Sequence, residues 1–222
     1  MAPSLQLLGG VQLVTDQERP SMWRRAREVI TYLALNPGQP EESFNEAIFP
    51  GEIRSPKMRA RRNEYMRVAR RWMGDDEQGA PYLPLVTEGV YRLHPDVRVD
   101  WDDFTALTGP TLKNRETEDL LSALDLVVAR PLSGIEEDYW EWAQAMKSRM
   151  CLQVARVAHE VIDRAERAQD HLLATHAVEV GIQALPDDAR MWDRALTIAH
   201  ASGGPGAANV IARRRQRAMA WD

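Results

Sequence analysis

Between Arg54 and Arg71 the chain places eight basic residues (Arg54, Lys57, Arg59, Arg61, Arg62, Arg67, Arg70 and Arg71) against one acid, Glu64. The whole 222-residue chain carries a net charge of −5, so this stretch runs against the trend. Apolar residues thread it at Met58, Tyr65, Ala69, Trp72 and Met73, a spacing that fits one face of an α-helix. Ser55 supplies an N-cap, Pro56 a first-turn residue and Gly74 a stop. A helix that buries one side and carries arginine on the other suits a phosphate backbone. The competing reading is a solvated arginine face paired with acids from the rear of the chain.

Charge divides the chain. Met1 to Met73 holds 12 basic and 8 acidic residues, a net of +4. From the totals of 28 basic and 33 acidic residues, Gly74 to Asp222 keeps 16 and 25, a net of −9. A basic front and an acidic rear, at this length, read as two units with different partners. Hydrophobic residues make up 44%, enough to build cores. Cys151 is the single cysteine, so neither an intramolecular disulfide nor a thiolate metal cluster can form. Among Met150, Leu152 and Val154 it reads as a small apolar packer, and a reducing compartment follows. No apolar run approaches the ~18 residues a bilayer span needs. The N-terminus lacks the pattern of a secretory signal, and a cytoplasmic location is expected.

The front half alternates strand and helix signals. Leu5–Leu8 and Val11–Val14 flank Gly9-Gly10, the pattern of a small hairpin. Ser21 caps a helix through Trp23, Ala26, Val29, Ile30, Leu33 and Ala34, ended by Asn36-Pro37-Gly38. A short helix spans Glu41–Ile48, stopped by Pro50-Gly51, and the basic helix follows. Tyr82–Val86 and Val90–Leu93 then form a hairpin around Glu88-Gly89. The polar stretch Asp96–Asp103 marks the exit, and Gly109-Pro110 places a boundary near residues 108–115. The order strand pair, helix, short helix, basic helix, hairpin is that of a winged helix-turn-helix over residues 1–108, whose third helix enters the major groove. Phosphate contacts are expected from Arg54, Lys57, Arg61, Arg62, Arg67 and Arg70, with Arg92 reaching from the wing. Glu88 at the wing's tip would be repelled by a phosphate.

Residues 112–222 read as helices throughout: Glu116–Ala129, Tyr139–Arg167, His171–Leu185, Ala189–Ser202 and Gly206–Met219. The turns Ala168-Gln169-Asp170 and Gly203-Gly204-Pro205 lie about 34 residues apart, the period of tetratricopeptide-type hairpins. Trp140 and Trp142, two residues apart, are expected on different helix faces.

Catalysis finds no support. The five histidines, His94, His159, His171, His176 and His200, lack ligand spacing, and no metal site is expected. Gly203-Gly204-Pro205-Gly206 lacks the lysine and hydroxyl residue of a phosphate-cradling loop. Glu136-Glu137-Asp138 and Asp187-Asp188 precede helices, where acids suit the positive end of the dipole. No cofactor is expected.

The front half resembles the winged-helix domain of bacterial activators of the antibiotic-regulatory-protein type. The resemblance rests on Leu7-Leu8-Gly9, Ile30 to Gly38, Ala47-Ile48-Phe49-Pro50-Gly51, Arg62-Asn63, Ala69 to Gly74, and Gly89-Val90-Tyr91-Arg92-Leu93. The rear half is similar to the bacterial transcriptional activator domain, a tetratricopeptide-like module, through Leu185-Pro186 and the two alanine-rich hairpins. Pro81 to Val86 and Tyr91 to Val97 look especially like a subgroup at the C-terminal end of large actinobacterial proteins with membrane segments and peptidoglycan-binding modules. The family places a Ser-Arg pair just before the position of Ala69; here Arg67-Val68 stands there, the arginine displaced by about 100° around the helix. The resemblance implies a mainly α, two-domain regulator. Its winged helix would bind double-stranded DNA, and its helical-repeat domain would bind another protein, either transcription machinery or a second copy in a homodimer. A membrane tether would come only through a longer parent chain. The alternative is a protein-interaction scaffold whose winged helix does not bind DNA.

Overall fold

The computed structural model describes residues 2–15, 24–52, 54–86, 88–135 and 140–219. The expected cap Ser21 with Trp23, the acidic run Glu136-Glu137-Asp138, and Tyr139 lie outside them. The chain is mainly helical and forms two compact units. The first takes in Met1–Leu7, Val11–Asp100 and Gly134–Ala145; the second takes in Leu8–Gly10, Trp101–Ser133 and Met146–Asp222. The division between Asp100 and Trp101 leaves the 108–115 interval inside the second unit.

In the first unit, β1 (Ser4–Gln6) pairs antiparallel with β2 (Gln12–Val14), Leu5 standing opposite Leu13. β3 (Arg98–Val99) adds on the other side of β1 in parallel. The Asp100 carboxylate accepts from the Leu7 amide at 2.8 Å, satisfying a backbone donor just beyond β1. Three helices follow: α1 (Arg24–Leu35), α2 (Glu41–Ile48) and α3 (Pro56–Met73). α1 packs on α3 and buries Ala26, Val29, Ile30 and Leu33, while α3 buries Met58, Tyr65, Met66, Ala69 and Met73. Trp72, placed on the apolar face by spacing, is only half-buried. An aromatic row continues the core: Tyr32 meets Phe44 edge-on at 5.6 Å, and Phe44 meets Tyr91 at 4.9 Å. α3 begins as its sequence dictates, with Ser55 Oγ accepting from the Met58 amide at 3.1 Å and Pro56 in the first turn. The Gly74 amide closes it on the Arg70 carbonyl at φ 75°.

The wing differs from expectation. Glu88 and Gly89 do reverse the chain, with positive φ of 54° and 75°. No strand ladder joins Tyr82–Val86 to Val90–Leu93 among the described residues; the His94 amide reaches the Tyr82 carbonyl at 2.9 Å, and Val90 bridges Pro40 instead. Pro84 has no N–H to offer a ladder. The carbonyls of Leu83 and Pro84 are occupied by the Arg70 guanidinium at 3.0 and 3.3 Å.

Trp140 and Trp142 also correct the sequence reading. Their rings stack at 5.9 Å with planes 15° apart, because Trp140 precedes the helix and the helical rotation between them does not apply.

The second unit opens with α4 (Asp100–Thr108), where the buried Trp101 and Phe104 stack at 5.3 Å. A 3-10 turn (Leu112–Asn114) leads to α5 (Thr117–Asp125), then α6 (Glu141–Ala168), α7 (His171–Ala184) and α8 (Ala189–Met219). α6 starts in the first unit's Gly134–Ala145 segment and buries Met150, Cys151, Val154, Val157, Ala158, Val161 and Ile162 in the second. Burial pushes the Cys151 thiol above its ordinary pKa, as its apolar neighbours predict. α8 breaks at Gly204 (φ 69°, ψ −165°), where a residue with a Cβ would be strained, so the expected pair of helices stands around Gly203-Gly204-Pro205. Leu8–Gly10 lies against the end of α5: the Leu8 carbonyl accepts from the Val128 amide at 2.9 Å, and a Cβ on Gly9 would sit 2.6 Å from Val128 Cγ2. Among the described residues no helix is long and apolar enough to cross a membrane.

Candidate nucleic-acid interface

Helical rotation decides which basic residues of α3 face out. At about 100° per residue, Met58, Tyr65, Met66, Ala69 and Met73 fall within an arc of about 100°, and Arg62 falls near its centre. Ala60, Arg67, Arg71 and Glu64 occupy the opposite side, flanked by Asn63 and Lys57. Burial agrees: Arg67, Arg71, Lys57 and Arg59 are exposed, whereas the Arg62 side chain is only 11% exposed.

The seven candidates therefore separate. Arg62 pairs with Glu41 at the start of α2, and Arg70 is turned to the carbonyls of Leu83 and Pro84. Burial lowers the Arg70 pKa from its ordinary value. Both guanidinium groups are used to hold the wing and the first turn of α2 against α3. Arg61 donates to both oxygens of Glu52 at 2.8 and 2.9 Å and lies over the Phe49 ring at 5.3 Å. Arg54 pairs with Glu42 at 3.2 Å, both exposed. Arg67 pairs with Glu64 one turn earlier, donating from Nη2 at 2.6 Å and Nε at 2.8 Å. That contact, with Arg71 adding its field, lowers the Glu64 pKa. Lys57 and Arg92 are exposed and form no ion pair among the described residues.

Among the described residues Arg54, Arg61, Arg62 and Arg67 pair with Glu42, Glu52, Glu41 and Glu64, all in the first unit. The exposed pairs among them, those of Arg54, Arg61 and Arg67, contribute about 0–1 kcal/mol each, so an incoming phosphate can displace the carboxylate at little cost. The exposed face of α3 thus offers Lys57, Arg59, Arg67 and Arg71 against the single acid Glu64. Arg59 and Arg71 stand outside the seven residues chosen from charge alone; rotation from Met58 and Ala69 would have found Arg71, whereas Arg59 borders the buried arc and is marked by its exposure.

No family model matches the chain, and no curated protein matches it. A solved structure does: EmbR of Mycobacterium tuberculosis, in complex with a low-affinity phosphopeptide, superposes with a TM-score of 0.66 at 18% identity. The match covers 100% of this chain and 60% of that one. At this identity the likeness bears on the fold alone. It shows a shared fold, mainly helical, with a winged helix followed by a helical domain.

Proposed function

We propose that the chain is a DNA-binding transcriptional regulator, with a winged helix that contacts duplex phosphates and a tetratricopeptide-like helical unit that contacts another protein. The observation that carries this reading is the outward face of α3, where Lys57, Arg59, Arg67 and Arg71 are exposed and Glu64 is the acid the helix itself contributes. Neutralising phosphates releases condensed counterions, a term that needs exposed cations and little else. In this reading Lys57, Arg59, Arg67 and Arg71 meet the backbone, Arg54 and Arg61 exchange glutamate for phosphate at the edge, and Arg92 adds a contact from the wing. Arg62 and Arg70 act as positioning residues. Asn63, exposed at the flank of the outward face, is the uncharged polar side chain of α3 that would meet a base edge.

The second reading is a protein-interaction scaffold without DNA binding. It draws on the glutamates already holding Arg54, Arg61, Arg62 and Arg67. Fluorescence anisotropy on a labelled mixed-sequence duplex at low salt separates the two. The regulator reading expects measurable binding that weakens at least about tenfold in Lys57→Ala/Arg67→Ala, on the scale of two lost charge-assisted contacts. Absence of binding by the folded wild-type chain selects the scaffold.

A further inference from the structure

Three cations of the second unit meet without the acids that neutralise such groups elsewhere in the chain. Lys113 comes from the 3-10 turn, Arg156 from the middle of α6, and Arg190 from the first turn of α8. They line one cavity of about 400 Å³ together with His159, Glu160 and Asp163. Each acid in or beside it is already engaged. Glu160 accepts from Arg164 Nε at 2.9 Å, Asp163 is paired with Arg194, and Asp188 accepts from the Met191 amide at 3.1 Å and holds His159 Nε2 at 2.9 Å. Among the described residues Lys113, Arg156 and Arg190 form no ion pair, Arg156 only donating to Gln153 Oε1 at 3.2 Å. This local excess sits in the half of the chain that carries −9 overall, from 16 basic and 25 acidic residues.

The cavity walls are fixed by hydrogen bonds that do not use these cations. Arg164 donates to the carbonyls of Leu112 (2.9 Å) and Arg115 (2.7 Å) and to Thr117 Oγ1 (3.2 Å), fastening the turn that carries Lys113 to α6. Arg194 donates to the His159 carbonyl at 3.2 Å and pairs with Asp163, fastening α8 to α6. Three donors of one sign are thus held on three braced elements. The first turn of α8 adds its own positive end at Arg190.

We infer that this cavity is a binding site for a phosphomonoester group, carried by a small metabolite or by a phosphorylated side chain. A dianion matches three unpaired cations better than a monoanion does. Arg156 and Arg190 provide the planar donor pairs that grip phosphate oxygens, and Lys113 provides a point charge. The site is separate from α3 and does not rest on the DNA reading.

The test uses the full chain at constant ionic strength. Inorganic phosphate, O-phospho-L-serine and a phosphoserine peptide are titrated by calorimetry into wild type, Lys113→Ala, Arg190→Ala and the charge-matched control Arg213→Ala. Saturable binding that falls roughly tenfold in Lys113→Ala and Arg190→Ala, and is unchanged in Arg213→Ala, supports the site. Binding of phosphate and phosphoserine alike identifies a small ligand, whereas binding of the peptide alone identifies a modified protein. Circular dichroism confirms that the variants fold. Binding that chloride matches, that the variants do not alter, or that does not occur overturns the inference. A parallel loss of duplex affinity in Arg190→Ala also overturns it, because the cations would then be phosphodiester contacts.

Discussion

Arginine does two different jobs in the two units. On α3, Arg67 and its partner Glu64 are 53% and 48% exposed, and just before it Arg54 with Glu42 are 67% and 68% exposed. In the second unit Arg164 and Arg194 are each 16% exposed and bind carbonyls as well as carboxylates. A guanidinium in water holds its glutamate loosely and can exchange it. One enclosed by helices satisfies buried carbonyls and cannot be released without unpairing them. Charge counts treat these arginines alike, whereas burial and partner type separate structure from readiness to bind. Within α3 the same division recurs, Arg62 and Arg70 falling on the structural side.

Four expectations would break or sharpen this contrast. Arg164→Ala should have the largest effect, lowering stability by about 3 kcal/mol, because three acceptors and Glu160 lose a half-buried partner; urea unfolding measures it. Arg62→Ala should cost about 2 kcal/mol by the same measurement, since Glu41 and the start of α2 lose their tie to α3.

Glu28 gives a smaller, pH-dependent effect. It is 1% exposed beside Arg25 Nη1 at 2.5 Å, and burial outweighs that contact, raising its pKa. A carboxyl with a raised folded-state pKa stabilises fully below its unfolded value and loses that contribution as pH rises through the folded value. Glu28→Gln should therefore gain on wild type as pH climbs from about 4.5 toward neutrality, the unfolded value being near that of a free glutamate. Melting temperatures across that window decide it, and a constant difference counts against a perturbed Glu28. Arg67→Ala should do least to the fold, changing stability by no more than about 0.5 kcal/mol. A loss as large as that of Arg62→Ala would erase the contrast.

Much of the fold was legible where punctuation was strong. Pro50-Gly51 fixed the end of α2, Ser55-Pro56 and Gly74 fixed both ends of α3, and Gly203-Gly204-Pro205 marked the break in α8. β3 and α4 were missed because Asp96–Asp103 is polar in composition, and two aromatics, Trp101 and Phe104, bury that segment. The wing was over-read, since alternation in Tyr82–Leu93 does not reveal that Pro84 lacks a donor or that Arg70 takes the carbonyls. The candidate site was half legible. Charge and apolar spacing found α3, and rotation from Met58 would have moved Arg62 inward and brought in Arg71, while Arg59 is found by its exposure. The turn of Arg70 toward Leu83 and Pro84 depends on a contact 13 and 14 residues away that no local pattern encodes.

The central claim, that the outward cations of α3 meet duplex phosphates, is tested most directly by the slope of log K against log salt for a mixed-sequence duplex. Wild type is expected to bind with a steep negative slope, and Arg67→Ala/Arg71→Ala to bind with a slope shallower by about 1.8, two phosphates at about 0.9 each. An identical slope in the variant, or no binding by wild type at low salt, would contradict it.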